Sequence, residues 1–264
     1  MPPPPLMVCT STGDPHIATF SGHTCDLMGL GVYPFASLPG LDAQVFHCPG
    51  ASNPSVSLNV GIALSTGVET VVVAGSRAYV NDVEIGYGTS SHGSVTIVRS
   101  AMATEVHLSN GAVVYSTARS IGSNYLATGY YQDLKLEAPI QATTSSTSSL
   151  CTADLNNAMI GISSDDLLFS ASVMSTLVSA CGAVPEPMPV GYCGEPADAC
   201  TVCDAAGIAC SDAQAACQAG CGCASDAALQ GCMMDYCALG GSSSVFDSCN
   251  AASPCAPCPW SGCG

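Results

Sequence analysis

The chain has 264 residues and a formal net charge of −16, built from only 4 Lys+Arg against 20 Asp+Glu, with 18 Cys, 27 Gly and 17 Pro. Charged residues make up 9%, against about 25% in an average soluble domain, too few for a charged disordered tail or a coiled coil. The basic residues, Arg77, Arg99, Arg119 and Lys135, are scattered, so no phosphate-neutralising patch exists: nucleic acid is close to excluded as a partner and an anionic membrane surface is disfavoured.

In chain order, residues 1–8 form a Pro-rich leader. Met1 is followed by Pro2 to Pro5, without the basic and apolar regions of a signal peptide. No run of 18 apolar residues occurs, so no membrane span is expected. A first domain is expected over 9–180. Between about 55 and 136 come short runs rich in Val, Ile, Thr and Tyr: Ser55–Leu64, Val68–Ala74, Ala78–Ile85, Ser94–Arg99, Thr104–Leu108, Ala112–Ser116 and Asn124–Leu136. Short strands at this spacing predict an antiparallel sandwich or barrel. Asn110-Gly111 predicts a hairpin with positive φ at both turn positions. Residues 141–150 are a Ser/Thr tract expected to be a solvated loop, and Val173–Ser179 suits a short helix or strand. Pro185, Pro187, Pro189 and Pro196 mark a stiff linker over 181–196. In the last segment, 197–264, Ser211 or Asp212 is placed to cap a helix through Cys217 and Cys221, and Ser225 or Asp226 a second through Cys232. The expected fold class is mainly β: an antiparallel β-sandwich followed by a small, disulfide-rich, partly helical domain.

The cysteines divide unevenly. Cys9, Cys25, Cys48 and Cys151 lie in the first 180 residues. The other fourteen, Cys181, Cys193, Cys200, Cys203, Cys210, Cys217, Cys221, Cys223, Cys232, Cys237, Cys249, Cys255, Cys258 and Cys263, crowd the last 84. This density implies an oxidising compartment, hence an extracellular or secreted protein, with all eighteen in disulfides. With no signal peptide in view, the chain is expected to be a fragment of a longer secreted protein. All five His precede residue 110, so a zinc site within the tail would need four thiolates. The pairs Cys200/Cys203 and Cys255/Cys258 have redox spacing but lack the βαβ context of a working dithiol, which favours structural disulfides. Connectivity stays open from spacing alone: even the first four allow three pairings.

Residues Cys9 to Phe35 read CTSTGDPHIATFSGHTCDLMGLGVYPF. Gly13-Asp14-Pro15-His16, then Thr19-Phe20 with Gly22, then Asp26, Gly29 and Tyr33, resemble the opening of the von Willebrand factor type D domain, and Tyr79-Val80-Asn81-Asp82 resembles that family's V-N-G turn. The likeness spans about residues 9–170. It implies a β-sandwich in an extracellular protein of adhesion, polymerisation or matrix, whose partners are other extracellular proteins or itself. It also implies a Cys9–Cys151 bridge, closing a loop of about 140 residues and contributing on the order of 3–5 kcal/mol. The family's acidic loop corresponds to a segment with Asp154, Asn156, Asn157, Asp165 and Asp166. With Ser21 standing where the family has an Asp, these imply a weakened calcium site. The same residues also read as an Asp/Asn-rich loop capping a helix. In the tail, Cys232-Met-Met-Asp-Tyr-Cys237 resembles the eight-cysteine module that often follows type D domains.

Three functions are carried forward. The first is a non-catalytic extracellular adhesion or matrix-assembly module. The second is a self-processing protein, because in several type D proteins the Asp-Pro bond of G-D-P-H cleaves itself. Here the Asp14 carboxyl would attack its own main-chain carbonyl, Pro15 would leave, and His16 would relay the proton. The third is a secreted inhibitor or toxin-like binding protein. A hydrolase triad of Asp14, His16 and Ser21 has no supporting motif such as G-x-S-x-G.

Overall fold

The computed structural model describes residues 5–50, 56–121, 126, 129–140, 149–152, 162, 166–181, 193–194, 199–221, 226–238, 240–243 and 245–246. The chain divides into two compact units, Met1–Glu195 and Pro196–Gly264.

The first unit is a two-sheet β structure. The chain opens with β1 (Leu6–Thr12), β2 (His16–Ala18) and β3 (Thr24–Leu27). It then runs through a meander of β4 (Gly31–Leu38), β5 (Leu41–Pro49), β6 (Ser57–Ser65), β7 (Thr70–Ala74), β8 (Arg77–Val80) and β9 (Val83–Glu84). A second meander follows: β10 (Gly88–His92), β11 (Val95–Arg99), β12 (Ala103–Leu108), β13 (Val113–Ser120) and β14 (Tyr130–Pro139), with β15 (Cys193–Gly194) last. The nine-stranded sheet has the order β10-β11-β12-β13-β14-β1-β2-β3-β15 and the six-stranded sheet β4-β5-β6-β7-β8-β9. The second meander thus returns to pair β14 with the first strand, Cys9 opposite Leu136.

Strands β12 and β13 alternate half-buried and buried residues, the pattern of an antiparallel sheet with one wet face. Their inward residues, Val106, Leu108 and Val114, join Phe35, Val45, Ile62, Leu64, Val71 and Leu134 in the core. Strands β5 and β6 are buried on nearly every residue because a helix covers their outer face. This is α1 (Ala171–Cys181), whose Val173 and Leu177 are buried. Phe169, just before it, meets Phe46 edge-on at 6.3 Å, and Cys181 is bonded to Cys48. The helix comes so close that a Cβ on Gly61 would lie 3.2 Å from Leu177 Cδ1. Pro34, which has no N–H to give, sits on the edge strand β4 beside a bulge between Pro34 and Ala36, where a proline is tolerated.

Several expectations need correction. Five strands precede residue 55. The Ala78–Ile85 run is two strands joined at Asn81 (φ 47) and Asp82 (φ 67), and this is where both turn residues are left-handed. At Asn110-Gly111 only Gly111 has positive φ, 84°. Gly111 N–H bonds Leu108 O at 3.0 Å and Leu108 N–H bonds Ala112 O at 2.9 Å, a three-residue loop closing on a glycine bulge. The Asn110 side chain explains the difference: its Oδ1 accepts from Ala112 N at 2.9 Å and its Nδ2 donates to Pro39 O at 2.8 Å, tying the hairpin to the other sheet.

The second unit holds three helices among its described residues rather than two: α2 (Ala199–Ala205), α3 (Cys210–Cys221) and α4 (Asp226–Ala238). Ser211 and Asp212 lie inside the first turn of α3 instead of capping it. Helix α2 stops at a Schellman motif: Gly207 (φ 72) donates to Asp204 O at 3.1 Å and Ile208 N–H to Cys203 O at 2.9 Å, satisfying carbonyls that the helix end leaves open. Disulfides Cys200–Cys210, Cys203–Cys237 and Cys217–Cys232 join the three helices. The buried residues include Ala213, Met233, Met234 and Val245. Tyr236 stacks on Phe246 at 5.9 Å. Cys200 and Cys203 bond to different partners, so they act as structural cysteines and not as a dithiol pair.

Candidate functional site

The G-D-P-H segment is the tight connection between β1 and β2. Thr12 pairs with His16, and residues 13–15 make the turn. Gly13 takes φ 63, a left-handed value that favours glycine, and Pro15 fixes its own φ. Two hydrogen bonds hold the turn from outside. Gly13 N–H donates to Asp133 Oδ1 at 3.2 Å, while Asp133 Oδ2 accepts from Arg119 Nε at 2.7 Å. Leu27 N–H donates to Pro15 O at 3.0 Å.

His16 faces Asp26 across the β2–β3 ladder. Its Nδ1 lies 2.6 Å from Asp26 Oδ1, and its Nε2 lies 2.7 Å from Asp14 Oδ1. The Asp14 side chain is 5% exposed and that of His16 20%, so the carboxylate is walled in while one edge of the ring reaches solvent. Both carboxylates keep a buried oxygen without a hydrogen-bond partner among the described residues, Asp14 Oδ1 and Asp26 Oδ2. Asp14 Oδ1 lies 2.7 Å from Nε2 as an ion-pair contact. The sequence places Asp14, Pro15 and His16 together; Asp26 matches the motif there but carries no chemistry. Its signal is the strand alternation that sets it opposite His16.

The following T-F-S-G turn is built on Thr19, whose Oγ1 accepts from His23 N at 3.1 Å and lies 3.0 Å from Ser21 Oγ. Phe20 N–H donates to Cys151 O at 3.0 Å, and Leu150 and Cys151 donate to Pro34 O and Phe35 O. Cys151 is thereby held at the sandwich and bonded to Cys9 with Cα atoms 5.5 Å apart, the pairing the resemblance implies. Tyr33, the motif's tyrosine, is buried and donates to Leu30 O at 3.1 Å.

Of the residues implied for calcium, Ser21 is exposed and Asp166 offers its main-chain carbonyl to Gln44 Nε2 at 2.7 Å. Asp154, Asn156, Asn157 and Asp165 lie outside the described residues. So do Cys223, Cys249, Cys255, Cys258 and Cys263, and the side chain of Cys193. Cys25 and Cys221 are disulfide-bonded. The cluster of Cys217, Cys221 and Cys232 has metal-like proximity, but all three are spent on disulfides.

A second buried polar group lies between the sheets. His47 packs against Tyr33 with the rings tilted by 38° and their centres 5.1 Å apart, its Nδ1 is 3.3 Å from Gly29 O, and its Nε2 has no hydrogen-bond partner among the described residues. Burial away from water pushes its pKa down to about 3, against smaller opposing effects of Gly29 and Asn59, so the ring is neutral. Asn59 beside it is tied to Ser11, donating to its main-chain O at 3.2 Å.

The chain matches no protein-family model and no curated protein sequence.

Proposed function

We propose that the chain is a non-catalytic extracellular module of adhesion or matrix assembly, built on a type D-like sandwich and working with other extracellular proteins or with copies of itself. The observation that carries the reading is the Cys9–Cys151 bridge, which locks the G-D-P-H strand to the segment closing the sandwich. Further disulfides in both units support an oxidising compartment. Among the described residues no helix is long and apolar enough to cross a membrane. Calcium is the proposed ligand of Ser21, Asp154, Asn156, Asn157, Asp165 and Asp166. The test is non-reducing mass analysis and sedimentation of the purified chain with and without calcium, together with its binding to immobilised matrix proteins. Self-association, interchain disulfides or matrix binding is expected. A chain that stays monomeric and binds none of them rules the reading out.

A second reading is favoured by the 2.7 Å approach of His16 Nε2 to the Asp14 carboxylate: scission of the Asp14–Pro15 bond. A carboxyl oxygen of Asp14 bonds to the Asp14 carbonyl carbon, the C–N bond to Pro15 breaks, and the proton that His16 relays ends on the proline nitrogen. The resulting cyclic anhydride is opened by water or by a nucleophile of another chain. Mass measurement of the reduced chain after days at pH 5–6 decides it, reduction being needed because the Cys9–Cys151 bridge would hold the pieces together: two fragments are expected, and a reduced chain still intact at 26.4 kDa excludes it.

A further inference from the structure

We propose that the chain forms a two-fold dimer by pairing strand β10 with β10 of a second copy, antiparallel and centred on Ser90. The inference rests on the reading above of a chain that works with copies of itself, and it names the surface.

The two sheets end in four edge strands, and three of them are blunted. Outside β4, Leu150, Cys151 and Ile162 donate to the carbonyls of Pro34, Phe35 and Val32. Strands β9 and β15 are two residues long. The fourth edge, β10, runs five residues, Gly-Thr-Ser-Ser-His. Among the described residues its main chain bonds only to β11. It has none of the devices that protect a free edge: no proline, no lysine or carboxylate, and no bulge in its ladder. A strand without charge is also where two copies of net charge −16 approach with least repulsion.

The turn after β10 fixes which groups face outward. His92 and Val95 are joined by Gly93 (φ 53) and Ser94, a two-residue turn with the left-handed residue first. Such a turn makes its flanking pair the hydrogen-bonded one. Gly88, Ser90 and His92 therefore point their N–H and C=O groups at β11, and Thr89 and Ser91 point theirs away from the sheet. A two-fold axis through Ser90 sets Thr89 of each copy opposite Ser91 of the other. Every outward N–H of these residues then meets a carbonyl, and their hydroxyls form the cross-strand pairs that favour sheets. A register one residue away would set outward groups against inward ones.

The same register joins apolar groups at the two ends of the strand. Tyr87, 68% exposed, falls opposite Gly93 of the second copy. The Arg99 guanidinium lies 4.8 Å from the centre of the Tyr87 ring and holds it in place. At the other end Glu69 accepts from Ser94 Oγ at 2.6 Å, which brings its neighbour Val68, 81% exposed, to the Gly93 turn. A Cβ on Gly93 would collide with Glu69 Oε1, so the position is bare and leaves room for the incoming ring. Pairing thus covers Tyr87 and Val68 at both ends. A single short strand from each copy makes a small interface, so the dimer is weak and reversible.

The experiment is sedimentation equilibrium of the full chain from micromolar to millimolar concentration, with non-reducing electrophoresis alongside. A monomer–dimer equilibrium without an interchain disulfide is expected, strengthened by salt because both copies are acidic. Thr89→Lys with Ser91→Lys puts like charges opposite each other and should weaken association about tenfold or more, whereas Thr89→Lys with Ser91→Glu puts each lysine opposite a carboxylate and should retain it. Amide exchange of the unmodified chain serves if a variant fails to fold. Raising the concentration should slow Thr89 and Ser91, while Ser90 and His92 stay slow throughout. A chain that is monomeric at millimolar concentration overturns the proposal. So does a dimer that the double lysine variant leaves unchanged, one released only by reductant, or exchange at Thr89 and Ser91 that ignores concentration. Matrix binding by a chain that stays monomeric would overturn this dimer and leave the broader reading standing.

Discussion

The two units reach stability by opposite routes. The first buries long apolar strands between two sheets and under a helix, with Ile62, Val45, Leu134 and Leu136 at most 1% exposed. Its two fully described bridges, Cys9–Cys151 and Cys48–Cys181, span 142 and 133 positions and reinforce a core that already exists. In the second, three short helices of 7, 12 and 13 residues are each too short to be stable alone, and many of the buried positions are the cysteines themselves. There the disulfides are the core. Cysteine spacing therefore reports different things in the two regions: reinforcement of a sandwich in one, and the reason for folding in the other.

That contrast gives the largest expected effect. Full reduction at neutral pH should collapse the helical circular-dichroism signal of the second unit, since losing a native bridge from a small domain costs about 2–5 kcal/mol. The β signal of the first unit should survive at a lower melting temperature. Helical signal that outlasts complete reduction would break the comparison.

Acid separates the units next. The folded pKa of His47 is about 3, below its unfolded value near 6.5. Above pH 6.5 the ring is neutral in both states and nothing is lost. As pH falls toward 3 the unfolded chain takes up a proton that the folded one refuses, and stability drops by about 1.4 kcal/mol per pH unit. Denaturant titrations across this range should show that slope in the first unit and a flatter one in His47→Gln. The second unit has no histidine and should lack this component.

Crowding gives the smaller effects. Gly61→Ala places a methyl 3.2 Å from both Leu177 and the Val73 carbonyl, and thermal melts should report a loss of about 1–3 kcal/mol. Gly220→Ala puts a methyl 2.3 Å from the Phe246 ring, but the substitution also raises helix preference by about 1 kcal/mol. The Phe246 ring must shift to admit it, so a net loss is still expected, and near-ultraviolet dichroism should register the broken Tyr236–Phe246 stack.

How much of this was readable follows from the same contrast. Most of the strands between Ser57 and Pro139 announce themselves through runs rich in Val, Ile, Thr and Tyr. Strands β2 and β3 do not: with three and four residues they show no period, and their polar members, half-buried His16 and buried Asp26, look like surface residues until strand pairing brings them together. β10, with the sequence GTSSH, is an exposed edge and reads as a turn. In the site, Asp14, Pro15 and His16 are visible as a motif, whereas Asp26 and Asp133 arrive from 10 and 117 positions beyond His16, a distance no local pattern encodes. The extra helix of the second unit hides because Ala199–Ala205 carries two cysteines that suggest a redox pair before they suggest a helix.

The pairing of β14 with β1 sets a timetable for biosynthesis. The first strand enters the middle of its sheet, yet its neighbour is about 130 residues later. Cys9 waits for Cys151 and Cys48 for Cys181, which at roughly 5–20 residues per second of synthesis means about 7–30 s for each. Until Cys151 emerges, residues 1–150 contribute Cys9, Cys25 and Cys48, which are nearer in sequence to one another than to the native partners of Cys9 and Cys48. Any bridge formed early among them must be undone, so maturation of this protein runs at the pace of thiol–disulfide exchange rather than of strand pairing.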